Sequence, residues 1–269
     1  MSAGRHLPAR VGDAAARTVH LWFASTANLP ALDGMCVPRL SDRDALARIA
    51  RLTSAQDRVN SVACRLLLRH HLDSLAPTAR ATATIVTDYE GKPHLHDASG
   101  AGVPEFNFSH SGAVAACAIA AQGPVGLDVE PWSRPLPDDL VHDIGGAAEL
   151  DAACSVTEGD CQRAGLLLWT LKESYLKAVG CGIRGIGTLA DLRRIRFDIN
   201  GNDVRLLSSG PVRDSHHWSF TVLDLSRNHV AAVASATVRA GAETDVLLRD
   251  GGPVLEAAAR SVGAPARSV

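Results

Sequence analysis

The stretch from Leu166 to Ala178, Leu-Leu-Leu-Trp-Thr-Leu-Lys-Glu-Ser-Tyr-Leu-Lys-Ala, constrains the chain more than any other. Leu167, Leu168, Leu171, Tyr175 and Ala178 recur at helical spacing and make one apolar stripe. The pattern predicts a helix over about 162–179, with Gly180 as its C-cap. Trp169, Glu173 and Lys177 are each four residues apart and share a face beside that stripe. An (i, i+4) Glu–Lys pair is worth about 0.2–0.5 kcal/mol as a surface ion pair, and alone it implies nothing further. The stripe itself demands a core to dock on, and the rest of the chain must supply it.

With 269 residues the chain can hold one large domain or two of ordinary size. Its 46% apolar and 21% charged content and net charge of −2 describe a globular protein, and exclude nucleic-acid binding driven by bulk charge. No apolar run reaches the ~20 residues that span a bilayer. Residues 1–17 read as a mobile extension without the apolar centre of a secretory signal. The six cysteines form no C-x-x-C and suggest neither a zinc site nor a disulfide framework, so a reducing cytoplasm is the expected compartment. For the close histidine pairs His70/His71, His94/His96 and His216/His217 no carboxylate or cysteine partner completes a metal site.

Along the chain, Val19–Ala24 is a strand candidate. Ser41-x-x-Asp44 and Ser54-x-x-Asp57 read as starts of helices of about 12 and 20 residues. Seven arginines (39, 43, 48, 51, 58, 65, 69) lie in this region against three aspartates, either as a solvated face or as a seat for a phosphate or an acidic partner. A strand at 82–87, a turn at Glu90–Pro93 and a loop through Gly102 follow. Further strands are expected at Ala113–Ala120, Val125–Glu130, Ile195–Ile199, Val204–Leu207, Trp218–Leu223 and His229–Val238. Residues 241–269 read as a loose tail holding at most one short helix near Leu255–Ser261. The small-residue strands after Ser111 and Asn228 echo one another. Two half-domains of related build meeting near residue 124 would produce that echo, and so would alanine-rich composition.

In Gly126-Leu-Asp-Val-Glu130, Leu127 and Val129 point to one face of a strand and Asp128 and Glu130 to the other. Two like charges on one face need solvent or a cation. With Glu173 they make three carboxylates suited to Mg²⁺, and Lys177, one turn away, offers a cation to a phosphate oxygen. Asn107–Gly112 reads as a loop whose hydroxyls, imidazole and N–H groups could bind an anion. A serine nucleophile is disfavoured there, because Ser109 and His110 diverge in extended backbone and no G-x-S-x-G surrounds them. Neither G-x-G-x-x-G nor a P-loop occurs.

Four motifs in order, Gly91-Lys92-Pro93, Phe106–Ser111, Gly126–Glu130 and Trp169–Ala178, resemble the 4′-phosphopantetheinyl transferases, with a match of Sfp type over roughly residues 18–240. Arg58–Arg69 is similar to the family's first motif, except that Asn60 stands where a basic residue grips the 3′-phosphate of coenzyme A. The resemblance implies an α+β fold of two similar α/β half-domains (18–124 and 125–240) related by a pseudo-two-fold, with the active site at their interface. It implies a cytoplasmic monomer that transfers the phosphopantetheine arm of coenzyme A to a serine of an apo acyl or peptidyl carrier protein. Such modification serves fatty acid, polyketide or nonribosomal peptide biosynthesis, and the other product is 3′,5′-ADP. Asp128, Glu130 and Glu173 are then the Mg²⁺ ligands, and Glu173, Asp128 and Lys177 the catalytic set. Glu173 would accept the serine proton directly or, in the preferred version, through a metal-bound water. Coenzyme A is expected at Arg48, Arg51, Arg58, Lys92, Pro93, Ser109, His110, Asp128, Lys172 and Lys177, with the arginines standing in for the missing basic residue. The competing readings are a Mg²⁺-dependent nucleotide phosphohydrolase and a catalytically idle carrier-binding protein.

Overall fold

The computed structural model describes residues 17–35, 43–75, 83–97, 102–226 and 228–263. Residues 1–16 of the expected N-terminal extension, Arg39 of the arginine cluster and most of the loop before Gly102 lie outside these residues.

One topology occurs twice. The first half runs β1 (Arg17–Ser25), α1 (Arg43–Ala50), the long α2 (Ala55–Leu75), a small hairpin of β2 (Thr84–Thr87) and β3 (Pro93–His96), then β4 (Glu105–Ser111) and β5 (Val114–Ala120). The second runs β6 (Val125–Pro131), α3 (Asp138–Ile144), α4 (Ala147–Val156), the long α5 (Cys161–Val179), a single turn α6 (Gly182–Gly185), a small hairpin of β7 (Ile195–Asn200) and β8 (Asp203–Ser209), then β9 (His217–Leu225) and β10 (His229–Thr237). The sheets correspond: β1-β5-β4 in one half and β6-β10-β9 in the other, all antiparallel. The two similar half-domains expected from the resemblance are present in this repeat.

The sheets face one another. Val19, Leu21, Ala116 and Ala118 from the first meet Leu127, Val129, Ala231 and Val233 from the second. Ala115, Cys117 and Ile119 on the opposite face of β5 pack under α2, while Val230, Ala232 and Ala234 of β10 pack under α5. The result is four layers, helix–sheet–sheet–helix. Central strands buried on both faces explain why β5 and β10 read as unbroken runs of small apolar residues.

Local chemistry sets the ends of the long helices. Ser54 Oγ accepts from Asp57 N–H (3.2 Å) at the start of α2. Asp160 caps α5 by accepting from Arg163 N–H (3.0 Å), and Gly180, at φ +96°, donates to Leu176 O (2.9 Å). Gly126 has a different role. A Cβ there would lie 2.0 Å from Ser174 O, so only glycine lets α5 lie this close to β6.

Two expectations change. Residues 241–269 do not read as loose where they are described: β11 (Thr244–Asp250) extends the first sheet in parallel with β1, and α7 (Gly252–Gly263) buries Leu255 in the core beside α2. β11 carries exposed Leu247 and Leu248, so it had no alternating pattern to read. Asn107–Ser111 is strand β4 rather than a loop, held in the core by Phe106. No helix among the described residues is long and apolar enough to cross a membrane.

Candidate active site at the seam of the two sheets

β4 and β6 lie side by side where the halves meet, joined by side chains instead of a backbone ladder. Asn107 Oδ1 accepts from Leu127 N–H (3.1 Å) and Ser109 Oγ from Val129 N–H (3.1 Å). Ser111 Oγ donates to Glu130 Oε2 at 2.9 Å, and Ser109 Oγ lies 3.4 Å from Asp128 Oδ1. The period-two series 107, 109, 111 thus meets the period-two acids 128 and 130. Asn107 and Ser111, expected only as part of an anion-binding loop, are strand side chains that bind β6. Their alternation was the available signal, lost once the segment was read as a loop.

Helix α5 closes the site from above. Asp128, Glu130, Glu173 and Lys177 line one open cavity of about 410 Å³ together with Ser109 and His110. Trp169 lines it too, so the predicted Trp169–Glu173–Lys177 face is the face turned to the cavity. Lys177 Nζ binds Asp128 Oδ1 at 2.6 Å and reaches Ser109 Oγ at 3.4 Å, whereas no Glu173–Lys177 ion pair forms. The surface-pair reading of Glu173 and Lys177 therefore falls. A second cavity of about 460 Å³ adjoins the first, sharing Phe108 and Lys177 and rimmed by Gly91, Lys92, Pro93 and Ile183.

The electrostatics follow from crowded acids in a part-buried place. Burial, and then the Asp128 carboxylate, push the Glu173 carboxyl up to about 7. Burial, and then Asp128, also raise Glu130. Burial pulls Lys177 down, but Asp128 and Glu173 outweigh it and hold the ammonium above the ordinary lysine value. His110 is lowered by burial against the opposing pull of Asp57, so its imidazole is neutral at physiological pH.

Among the described residues no group of three or more His, Cys, Asp or Glu side chains is placed so that it could hold a metal ion as it stands. Two cations hold the acids instead: Lys177 on Asp128, and Arg134 on Glu130 Oε1. Yet Asp128, whose Oδ2 is buried with no hydrogen-bond partner, lines a cavity together with two further carboxylates. An oxygen-rich set with an unsatisfied buried oxygen fits a hard divalent cation such as Mg²⁺.

Several expected coenzyme A contacts lie elsewhere. Lys172 is fully buried, with Nζ bound to Ile144 O (2.5 Å), Glu149 Oε2 (3.0 Å) and Leu192 O (3.1 Å); it ties α5 to α4 and the turn before β7, and lines neither cavity. It is turned about 100° round the helix from its neighbour Glu173, to the side that packs on α4. Arg58 is engaged by Asp33 (2.9 and 2.8 Å) and Leu52 O (2.8 Å). Arg48 reaches Thr87 Oγ1 (3.2 Å), Arg51 is exposed, and none of the three arginines lines either cavity. Asn60 is completely buried, donating to Gly112 O (2.9 Å) and meeting Thr26 Oγ1 (2.5 Å). It holds α2 to the β4–β5 turn and lines neither cavity. Lys92 does rim the second cavity, and its Nζ bridges to Ala178 O at 2.6 Å.

Comparison with known proteins places this geometry. Residues 124–234 match the 4′-phosphopantetheinyl transferase superfamily, and residues 35–122 match the N-terminal family of the same transferases. The chain is 31% identical to the 4′-phosphopantetheinyl transferase HetI of Nostoc sp., over 72% of this chain and 77% of that one. It is 33% identical to the L-aminoadipate-semialdehyde dehydrogenase-phosphopantetheinyl transferase of Eremothecium gossypii, over 49% and 53%. The human protein of that same name is 26% identical, over 70% and 64%.

Proposed function

This chain belongs to the 4′-phosphopantetheinyl transferase superfamily, and on that footing we propose that it transfers the phosphopantetheine arm of coenzyme A to a serine of an apo acyl or peptidyl carrier protein, releasing 3′,5′-ADP. The observation that carries the reading is the convergence of Asp128, Glu130, Glu173 and Lys177 on one cavity at the seam of the halves.

Asp128, Glu130 and Glu173 would hold Mg²⁺, which when bound neutralises charge on the diphosphate under attack. Lys177 supplies a fixed cation for an α-phosphate oxygen, already held in place by Asp128. The neighbouring cavity, rimmed by Lys92 and Pro93, receives the rest of coenzyme A, with Phe108 and Lys177 at the junction and Ser109 and His110 on the acid cavity. His110, being neutral, can donate one hydrogen bond to a phosphate without leaving a buried cation when the ligand departs. Glu173, on the cavity wall, would take the proton of the attacking serine directly or, preferably, through a water. One chain supplies the whole cavity, which supports a monomer as the working unit. The five described cysteines are free thiols, in keeping with a reducing cytoplasm.

Product analysis tests the assignment. Coenzyme A incubated with the protein and Mg²⁺ should stay intact until an apo-carrier is added, and then yield 3′,5′-ADP. Free phosphopantetheine formed without carrier would identify a hydrolase; no reaction in either arm would identify an idle carrier-binding protein.

A further inference from the structure

The turn after β6 folds Arg134 back over the acid cavity. Arg134 N–H donates to Pro131 O (2.9 Å), its Nη1 pairs with Glu130 Oε1, and its guanidinium lies 5.1 Å from the centre of the Trp169 ring. Arg134 and Trp169 both line the cavity that holds Asp128, Glu130 and Glu173. Glu130 is nearly enclosed, with 11% of its side chain exposed, whereas Arg134 keeps 35% and has solvent to move into. Glu130 Oε2 is occupied by Ser111, so Arg134 takes the other oxygen of the carboxylate.

We propose that Arg134 is a built-in cation that holds Glu130 until a divalent ion binds, competing with that ion for the carboxylate, and that Trp169 is the platform on which its guanidinium rests. The proposal rests on the transferase reading of the acid cavity. Three carboxylates around one opening repel one another unless cations stand among them. Lys177 covers Asp128, and Arg134 covers Glu130. An incoming dication would repeat the charge of Arg134 at the same carboxylate, so the two cannot both be held there at full strength. A planar, weakly hydrated guanidinium suits the role because it can leave the carboxylate and stay stacked on the indole. The stacking also gives Trp169 a ligand-facing position on α5.

The test is direct Mn²⁺ binding, read from the electron paramagnetic resonance of the free ion, on the full chain without coenzyme A. Arg134→Met keeps length and packing but removes the charge, and should bind Mn²⁺ about three- to tenfold more tightly than the parent, the scale of one lost charge-assisted pair. Arg134→Lys should stay within about twofold of the parent, because the competing charge remains. Asp128→Asn should lose most of the binding and marks the site. Unchanged or weaker affinity in Arg134→Met, with Asp128→Asn impaired, would overturn the competition while leaving the metal site standing. Indifference of all four proteins to Mn²⁺ would remove the metal reading and this proposal together.

Discussion

Lys177 Nζ lies 2.6 Å from Asp128 Oδ1, joining the end of α5 to the middle of β6 inside the candidate active site. Asp128 is 6% exposed at its side chain and its other oxygen has no partner, so Lys177 is what makes its charge tolerable in the absence of ligand. Lys177→Met should therefore cost about 2–3 kcal/mol in urea unfolding, more than a surface ion pair contributes. It should also lower kcat/KM by roughly 10²-fold through loss of a fixed cation at the phosphates. Steady-state kinetics beside the denaturation curve separate the two effects, and unchanged values of both would return Lys177 to the solvated face of a helix.

Glu173 has the opposite energetic sign. Its carboxyl, raised from 4.5 to about 7, holds a proton in the folded chain that the unfolded chain has already released. The stability tied to that neutral form is complete below about pH 4.5 and is lost as pH rises through about 7. Glu173→Gln should leave the melting temperature nearly unchanged at pH 5 and raise it at pH 8, by the equivalent of about 1–2 kcal/mol, in buffer containing a chelator. Equal shifts at the two pH values would contradict the raised carboxyl.

Lys172 gives the sharpest contrast with Lys177, five residues on. Fully buried and bound to Glu149 and two carbonyls, it acts on folding rather than on ligand. Lys172→Met should destabilise by about 3–5 kcal/mol because it strands the buried Glu149 carboxylate. Adding Glu149→Gln should recover part of that loss, and the KM for coenzyme A of any folded variant should stay at the parent value. A raised KM with normal stability would put Lys172 back at the ligand.

Gly126→Ala tests the fit of α5 on β6. The added methyl carbon would meet Ser174 O at 2.0 Å and Ala178 N at 2.4 Å, both backbone atoms that cannot rotate away. The helix must shift, carrying Glu173 and Lys177 away from Asp128. A loss of about 3 kcal/mol and of nearly all transfer activity is expected, measured by thermal melting and carrier modification.

The repeated topology makes plain why some of the chain was readable in advance. The α5 helix carries both a 3.6-residue period and an end signal at Gly180, so it is legible to within a residue or two. The Asp128/Glu130 alternation was legible for the same reason, since a strand with one face acidic and the other apolar reads unambiguously. Lys172 misleads because Glu173 beside it faces the site while it faces the core, and only the positions of Glu149 and Leu192 reveal that. Arg58 and Asn60 mislead similarly: an arginine-rich helix suggests phosphate binding, but Asp33 and the β4–β5 turn, distant in sequence, claim those side chains. Arg134 gave no signal because its partner Glu130 is reached through a turn and no helical spacing applies. β11 was missed because a short edge strand need not alternate.

Phosphopantetheine transfer by the acids and lysine at the seam is read out by the intact mass of an apo-carrier protein incubated with coenzyme A, Mg²⁺ and this protein. The parent should add the mass of one phosphopantetheine arm to the carrier's serine, while Asp128→Ala and Glu173→Ala, still folded by circular dichroism, should leave the carrier unmodified. A carrier modified at the parental rate by either variant, or left unchanged by the parent across several carriers, would contradict the claim.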